Sequence, residues 1–247
     1  VIESAAAEPE LAELAAFLNA CGAKIRGAGT HCVEIEGVAS LGGTEWTMPP
    51  DRIEVGTLLL AGAATRGDVE VEGCRPDEIA VLLDLFQRAG VPFEERRDPS
   101  GGGSVRVLPW ERPPRVLDVS TRPYPGFPTD LQAQWMAFCT IGEGLAVITD
   151  RVYPDRFMHV PELNRLGASV RREGPTALVV GPAALSGAPI TASDLRASAG
   201  LVIAGLVAEG MTTVRRVYHL DRGYEALETK LRALGGDVRR VVDEAGP

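Results

Sequence analysis

No apolar run in this chain is long enough to span a bilayer, and no signal peptide opens it. Basic charge is in short supply, because 25 Lys and Arg against 34 Asp and Glu leave a net charge of −9. Nucleic acid and anionic membrane surfaces are therefore poor partners. An anionic ligand would need arginines gathered locally, against the global sign. The cysteines, Cys21, Cys32, Cys74 and Cys139, are scattered without metal-type spacing, and three lie in apolar or strand-like settings. They read as reduced thiols of a cytoplasmic protein. P-loop, dinucleotide and G-x-S-x-G signatures are absent. The GGG at 101–103 precedes a strand-like run rather than a helix, which makes it a hairpin tip and not a phosphate cradle. Neither His159 nor His219 has a second ligand at metal spacing.

What is present is a repeat. Apolar residues make up 45% of 247, enough for a core in one large domain or two small ones. Four segments share one plan: VIESAAAEPELAELAAFLNACGAKI, VEVEGCRPDEIAVLLDLFQRAGVPF, AVITDRVYPDRFMHVPELNRLGASV and TTVRRVYHLDRGYEALETKLRALGGDV. Each runs from a short β-type stretch through a polar turn and an amphipathic helix to a glycine and a second β-type stretch. Gly22, Gly90, Gly167 and Gly235 suit the left-handed position that ends a helix. Pro9 and Pro76 suit a first helical turn. In the last copy Tyr224, Leu227, Leu231 and Leu234 mark one helical face.

A second kind of helix lies between these segments, in GTLLLAGAATRG, LQAQWMAFCTIGEG and SAGLVIAGLVAEG. These are apolar nearly all round and should be buried on every side. Hairpins fill the gaps, in KIRGAGTHCVEIEG, FEERRDPSGGGSVRVLP and SVRREGPTALVVGP. The unit is thus strand, buried helix, strand, outer helix and two strands. It appears three times from about Thr47, after the tail of another copy. The chain reads as starting mid-domain at Val1. It ends on a single strand, DVRRVV, whose hairpin partner is expected from a segment upstream.

Asp51, Asp130 and Asp194 precede the buried helices or their leading loops. An N-cap is the simpler reading of a lone Asp before a helix. For Asp130 the setting argues for more, since Pro123, Pro125 and Pro128 stiffen the loop before it and arginines stand nearby. Arg52, Arg122, Arg156, Arg196 and Arg222 cluster at the polar turns, with Arg156 and Arg222 at matched positions of the unit. The guanidinium fork at helix N-termini suits phosphate and carboxylate. For a single arginine, an ion pair such as Asp155–Arg165 or Asp221–Arg222 is the better reading. For the set, an anion site stands on equal footing. His159 and His219 read as structural. Tyr153 and Tyr218 read as packing residues, with an aromatic beside Val152 also suited to face a nucleobase.

The runs AAAEPE, DRIEVGT, FPTDLQAQ, DRFMHVPEL, LSGAPITASDLRASA, YHLDRGYE and KLRALGG make the chain resemble the UDP-N-acetylglucosamine 1-carboxyvinyltransferases from Val1 to about Val241. The sister 3-phosphoshikimate 1-carboxyvinyltransferases share the architecture, but FPTDLQAQ and DRFMHVPEL look more like the UDP-sugar enzymes. The resemblance implies an inside-out α/β barrel of repeated βαβαββ units. Residues 1–48 would end a first domain, and 49–247 would form a second domain lacking an N-terminal segment. The implied reaction moves the enolpyruvyl group of phosphoenolpyruvate to the sugar 3′-hydroxyl and opens peptidoglycan synthesis. No metal or organic cofactor is implied.

By the same resemblance, Asp130 meets the sugar hydroxyl, Val152 lines the nucleotide site with Tyr153 beside it, and Arg156, Arg196 and Arg222 surround phosphoenolpyruvate. The family's general-acid cysteine and its phosphoenolpyruvate-gripping lysine–asparagine pair belong to the first domain, ahead of Val1. None of the four cysteines here takes that position. The chain is accordingly expected to carry about half a site and to be inactive alone. The other readings are a non-catalytic binding module of the same fold and a shikimate-type transferase.

Overall fold

The computed structural model describes residues 1–99 and 101–241. The chain opens with β1 (Ile2–Glu3), α1 (Pro9–Ala20), β2 (Lys24–Arg26) and β3 (Cys32–Glu36). The three strands form an antiparallel sheet in the order β1-β3-β2. Pro9 stands in the first turn of α1, and Gly22 turns the chain at φ +101°. Asn19 fastens the helix to the next strand, with its amide donating to the Ile25 carbonyl at 2.8 Å and accepting from the Ile25 N–H at 2.7 Å. Asn164 and Val170 repeat this pair at 2.8 and 2.9 Å, so the repeat extends to single hydrogen bonds.

The first full unit runs through α2 (Arg52–Ala64), β4 (Val69–Cys74), a 3-10 turn at Pro76–Ile79, α3 (Ala80–Ala89), β5 (Phe93–Arg97) and β6 (Gly103–Val107). The second has β7 (Val119–Ser120), a 3-10 turn at Thr129–Leu131, α4 (Gln132–Cys139), β8 (Gly144–Thr149), α5 (Val160–Arg165), β9 (Ser169–Glu173) and β10 (Thr176–Gly181). The third has β11 (Pro189–Thr191), α6 (Leu195–Val207), β12 (Thr213–Arg215), a 3-10 turn at Val217–Arg222 and α7 (Leu227–Ala233).

The middle unit shows the complete plan. Its sheet runs β7-β8-β10-β9, with β7 parallel to β8 and the other pairs antiparallel. The first unit keeps β4-β6-β5 and has no strand before α2, where one was expected near Thr47. The third keeps the parallel pair β11-β12. The strand expected at 237–242 is not formed over 237–241, and Val242 lies outside the described residues. A strand without a neighbour to complete its hydrogen bonds gains nothing from the extended form.

Helices α2, α4 and α6 pack against one another, and all eight residues of α4 are buried. The sheets and outer helices surround them, which is the inside-out arrangement that the all-round apolar sequences require. Small residues permit the contact. A Cβ added to Gly200 would stand 2.6 Å from the Ala133 carbonyl oxygen, so α6 touches the α4 backbone directly. Trp135 and Phe138 are fully buried at the centre, each worth about 1.5–3 kcal/mol of transfer free energy.

The helix-ending glycines Gly90, Gly167 and Gly235 lie at φ +82°, +95° and +95°. Pro76 opens a 3-10 turn rather than the α-helix itself. Tyr224, Leu227 and Leu231 are buried, but Leu234, expected on the same face, is 47% exposed because α7 ends before it. All four cysteines are free thiols. Among the described residues no helix is long and apolar enough to cross a membrane.

Residues 1–48 have a different character. Ala15 is the one buried residue among them, while Leu11, Leu14 and Ile35 are exposed. Their ties to the remainder are largely ionic. Glu10 pairs with Arg52 at 2.8 Å, Glu13 with Arg75, and Glu8 accepts from the Tyr124 N–H at 3.3 Å.

Candidate functional site

The three aspartates before the central helices differ in what they do. Asp51 caps α2, its Oδ1 accepting from the N–H groups of Ile53 at 2.7 Å and Glu54 at 3.2 Å. Asp194 caps α6 in the same way, through Arg196 at 2.8 Å and Ala197 at 2.9 Å. Asp130 caps nothing. The proline-rich approach resolves into a 3-10 turn at Thr129–Leu131, which puts Asp130 inside the turn instead of before it. Its carboxylate is left for side-chain partners. Oδ1 accepts from Arg156 Nη1, and Oδ2 lies 3.5 Å from Arg196 Nε, an ion pair without hydrogen-bond geometry.

The same two arginines reach the capping aspartates. Arg156 Nη2 is 3.9 Å from Asp194, and Arg196 Nη2 is 4.0 Å from Asp51. Asp51, Asp130 and Asp194 come from three successive units, so the N-termini of α2, α4 and α6 converge on one place. Each helix end contributes partial positive charge there, added to two guanidinium groups. With the three carboxylates, this gathers charge of both signs at one place.

Arg196 is only 9% exposed. Burial alone would lower its proton affinity, but Tyr224, Asp130 and Asp51 more than offset this and raise it above the ordinary arginine value. Its guanidinium lies over the Tyr224 ring, 5.2 Å from the centroid. The Tyr224 hydroxyl meets Thr57 Oγ1 of α2 at 2.9 Å and accepts from Gln134 Nε2 of α4 at 3.1 Å. Gln134 Nε2 also donates to the Asp130 carbonyl at 2.9 Å. One buried phenol thereby joins all three central helices at the level of Asp130. Burial raises the Tyr224 pKa and keeps the phenol protonated.

The remaining arginines separate. Arg52 is drawn out of the cluster by Glu10 and by stacking near Tyr124, at 5.5 Å. Arg122 and Arg222 are exposed, and no ion pair holds either guanidinium among the described residues. Arg222 stands two positions before Tyr224, at the end of its 3-10 turn. The local ion pairs expected from sequence do not form. Asp155 pairs with Arg172 at 2.8 Å, Arg165 with Glu162 at 3.5 Å, and Asp221 with Arg240.

Val152 and Tyr153 are 44% and 60% exposed, which leaves their side chains open to a ligand. Their backbone N–H groups are held from below by Asp150. Sequence reasoning passed over Asp150, a fully buried carboxylate just after β8. The available signal was an Asp at a strand end followed by an irregular stretch, the pattern of a carboxylate that caps its own turn. His159 is 1% exposed, and its ring stacks on Phe157 with centroids 6.3 Å apart. Neither ring nitrogen has a partner, and burial lowers its pKa to about 4. It is a neutral packing residue. Tyr218 is exposed, accepts from Arg216 and lies against His219 at 4.3 Å. Among the described residues no group of three or more His, Cys, Asp or Glu side chains is gathered to hold a metal ion.

Over residues 1–231 the sequence matches the family described as EPSP synthase (3-phosphoshikimate 1-carboxyvinyltransferase). It is 48% identical over 241 residues to the UDP-N-acetylglucosamine 1-carboxyvinyltransferase of Lawsonia intracellularis, an alignment covering 98% of this chain and 56% of that protein. It is 51% identical over 245 residues to the protein of the same name from Bdellovibrio bacteriovorus, covering 98% and 57%. Among solved structures, the enolpyruvyl transferase NikO from Streptomyces tendae superposes with a TM-score of 0.84 at 30% identity, over 96% of this chain and 55% of that one. The chain therefore spans a little over half the length of the relatives it matches.

Proposed function

The chain belongs to the EPSP synthase (3-phosphoshikimate 1-carboxyvinyltransferase) family, and from that membership we propose that it contributes one side of an active site for enolpyruvyl transfer from phosphoenolpyruvate to the 3′-hydroxyl of UDP-N-acetylglucosamine, the first committed step of peptidoglycan synthesis. Relatives of that name at 48% and 51% identity support the UDP-sugar as acceptor. The family description, which names the shikimate reaction, supports the alternative acceptor.

The observation that carries the reading is Asp130. It occupies an N-cap-like place in the sequence yet caps nothing, and its carboxylate is held by Arg156 beside Arg196 where three helix N-termini meet. In the proposed reaction C3 of phosphoenolpyruvate takes up a proton. The sugar oxygen attacks C2 and loses its own proton. The tetrahedral intermediate then expels inorganic phosphate as a proton leaves C3, restoring the double bond. Asp130 orients the attacking hydroxyl and accepts its proton, a role that needs hydrogen-bond reach. Its side chain is 37% exposed, consistent with such access. Arg196 and Arg222, with Arg156, counter the phosphate and carboxylate and the charge that develops between them. Val152 and Tyr153 line the nucleotide.

We assign residues 1–48 to the end of a first domain and 49–247 to a second. The single buried residue among 1–48 supports this, since a segment with exposed Leu11, Leu14 and Ile35 has no core of its own. Such a division makes this chain one wall of a cleft, inactive without the other. Calorimetric titration of the full-length protein with UDP-N-acetylglucosamine and, separately, shikimate 3-phosphate tests the reading. Binding of the UDP-sugar alone is expected. Binding of shikimate 3-phosphate alone would move the chain to the sister reaction, and binding of neither would leave a scaffold without this chemistry.

A further inference from the structure

Asp150 has no exposed surface, and no Arg, Lys or His pairs with it among the described residues. A lone buried carboxylate is costly unless its oxygens are fully hydrogen-bonded. Here they are. Oδ1 accepts from the Thr121 hydroxyl at 2.7 Å and from the N–H groups of Val152 at 3.1 Å and Tyr153 at 2.8 Å. Oδ2 accepts from the Thr129 hydroxyl at 2.7 Å. Thr121 Oγ1 in turn accepts from the Arg151 N–H at 3.0 Å.

Three of these four partners lie next to a residue of the proposed site or are one, and the fourth, Thr121, stands at the start of the loop that leads to Asp130. Thr121 precedes the loop 122–128, Thr129 precedes Asp130, and Val152 and Tyr153 line the nucleotide in the reading above. The Thr129 hydroxyl, having given its hydrogen to Asp150, presents a lone pair to Arg156 Nη1 at 3.4 Å, and Arg156 holds Asp130. We propose that Asp150 is a positioning residue that locks the Asp130 turn to the Val152–Tyr153 turn, so that the sugar hydroxyl and the nucleotide of one ligand are met in a single geometry. This rests on the UDP-sugar reading.

A carboxylate is needed because it accepts at both oxygens. In Asp150→Asn one oxygen can still serve the two N–H groups. The new NH2 group then faces Thr129, whose hydroxyl must turn to accept from it, and its hydrogen is left without the Asp150 acceptor, which loosens the tie between the two turns. The effect should fall on the UDP-sugar and spare phosphoenolpyruvate. Steady-state kinetics of full-length Asp150→Asn should show the UDP-sugar KM raised roughly tenfold with kcat lowered, and the phosphoenolpyruvate KM unchanged within about twofold. Thr129→Val keeps the Oδ1 side intact and should lower kcat with little change in UDP-sugar KM, and Thr129→Ser should restore it. Asp150→Asn kinetics equal to wild type, or both KM values rising together with a loss of thermal stability that Thr129→Val shares, would overturn the inference. A wild-type protein that turns over phosphoenolpyruvate without a UDP-sugar acceptor would overturn the functional reading, and this inference with it.

Discussion

Acidification should weaken this fold through His159. The imidazole is 1% exposed, neither nitrogen has a hydrogen-bond partner, and burial lowers its pKa from the ordinary 6.5 to about 4. Asp194 and Asp150 pull in the opposite direction and Arg156 in the same one, with burial dominant. In the unfolded chain the ring binds its proton near 6.5, and in the folded protein only near 4. Between those values the unfolded state holds more protons, so stability falls as the pH drops through that window. At about 1.4 kcal/mol per pH unit the loss reaches about 3 kcal/mol by pH 4, and above 6.5 the residue contributes no slope. Urea unfolding of wild type and His159→Gln at pH 7.5, 6.5, 5.5 and 4.5 isolates the effect, because carboxylates common to both proteins cancel in the difference. The variant will be less stable at neutral pH, having lost the stack on Phe157, but its stability should depend less on pH. Parallel pH profiles for the two proteins would refute the argument.

Other substitutions separate structural from site roles. Tyr224→Phe removes the hydroxyl shared by Thr57 and Gln134 but keeps the ring beneath Arg196, and should cost about 1–3 kcal/mol in chemical denaturation. Gly200→Ala forces a methyl against the Ala133 carbonyl and should cost about 1–3 kcal/mol or more, read as a lowered Tm. Arg222 is exposed and in no ion pair among the described residues, so Arg222→Ala should keep its stability within about 0.5 kcal/mol of wild type. Its phosphoenolpyruvate KM should nevertheless rise about tenfold or more, the loss of a charge-assisted contact. An unchanged KM would remove Arg222 from the site.

The repeat was legible because its signals are local. Four glycines at helix ends, prolines in first turns and helices apolar on all sides each follow from a few neighbouring residues. They pointed to central helices with sheets outside them, as observed. What was hidden depends on distant partners. Asp51, Asp130 and Asp194 look alike in sequence, and only the 3-10 turn after Pro128 separates the one that caps nothing from the two that cap. Arg52 belongs with the anion site by its sequence position, yet Glu10, far earlier in the chain, takes it away. The pairs Asp155–Arg165 and Asp221–Arg222 look natural by proximity, but Arg172 and Arg240, distant in sequence, reach those carboxylates instead. Asp150 escaped notice because its four donors come from three separate stretches that only the fold brings together.

Phosphate release from phosphoenolpyruvate, followed in the full-length protein with and without UDP-N-acetylglucosamine, tests the central claim most directly when repeated with Asp130→Ala. Release that depends on the UDP-sugar, and that falls about a hundredfold or more in a variant of unchanged thermal stability, is the predicted result. Asp130 caps no helix, and Asp194 and Asp51 still face Arg156 and Arg196, so its loss should leave the fold intact. Turnover that survives the substitution, or that proceeds without the sugar nucleotide, would contradict the account.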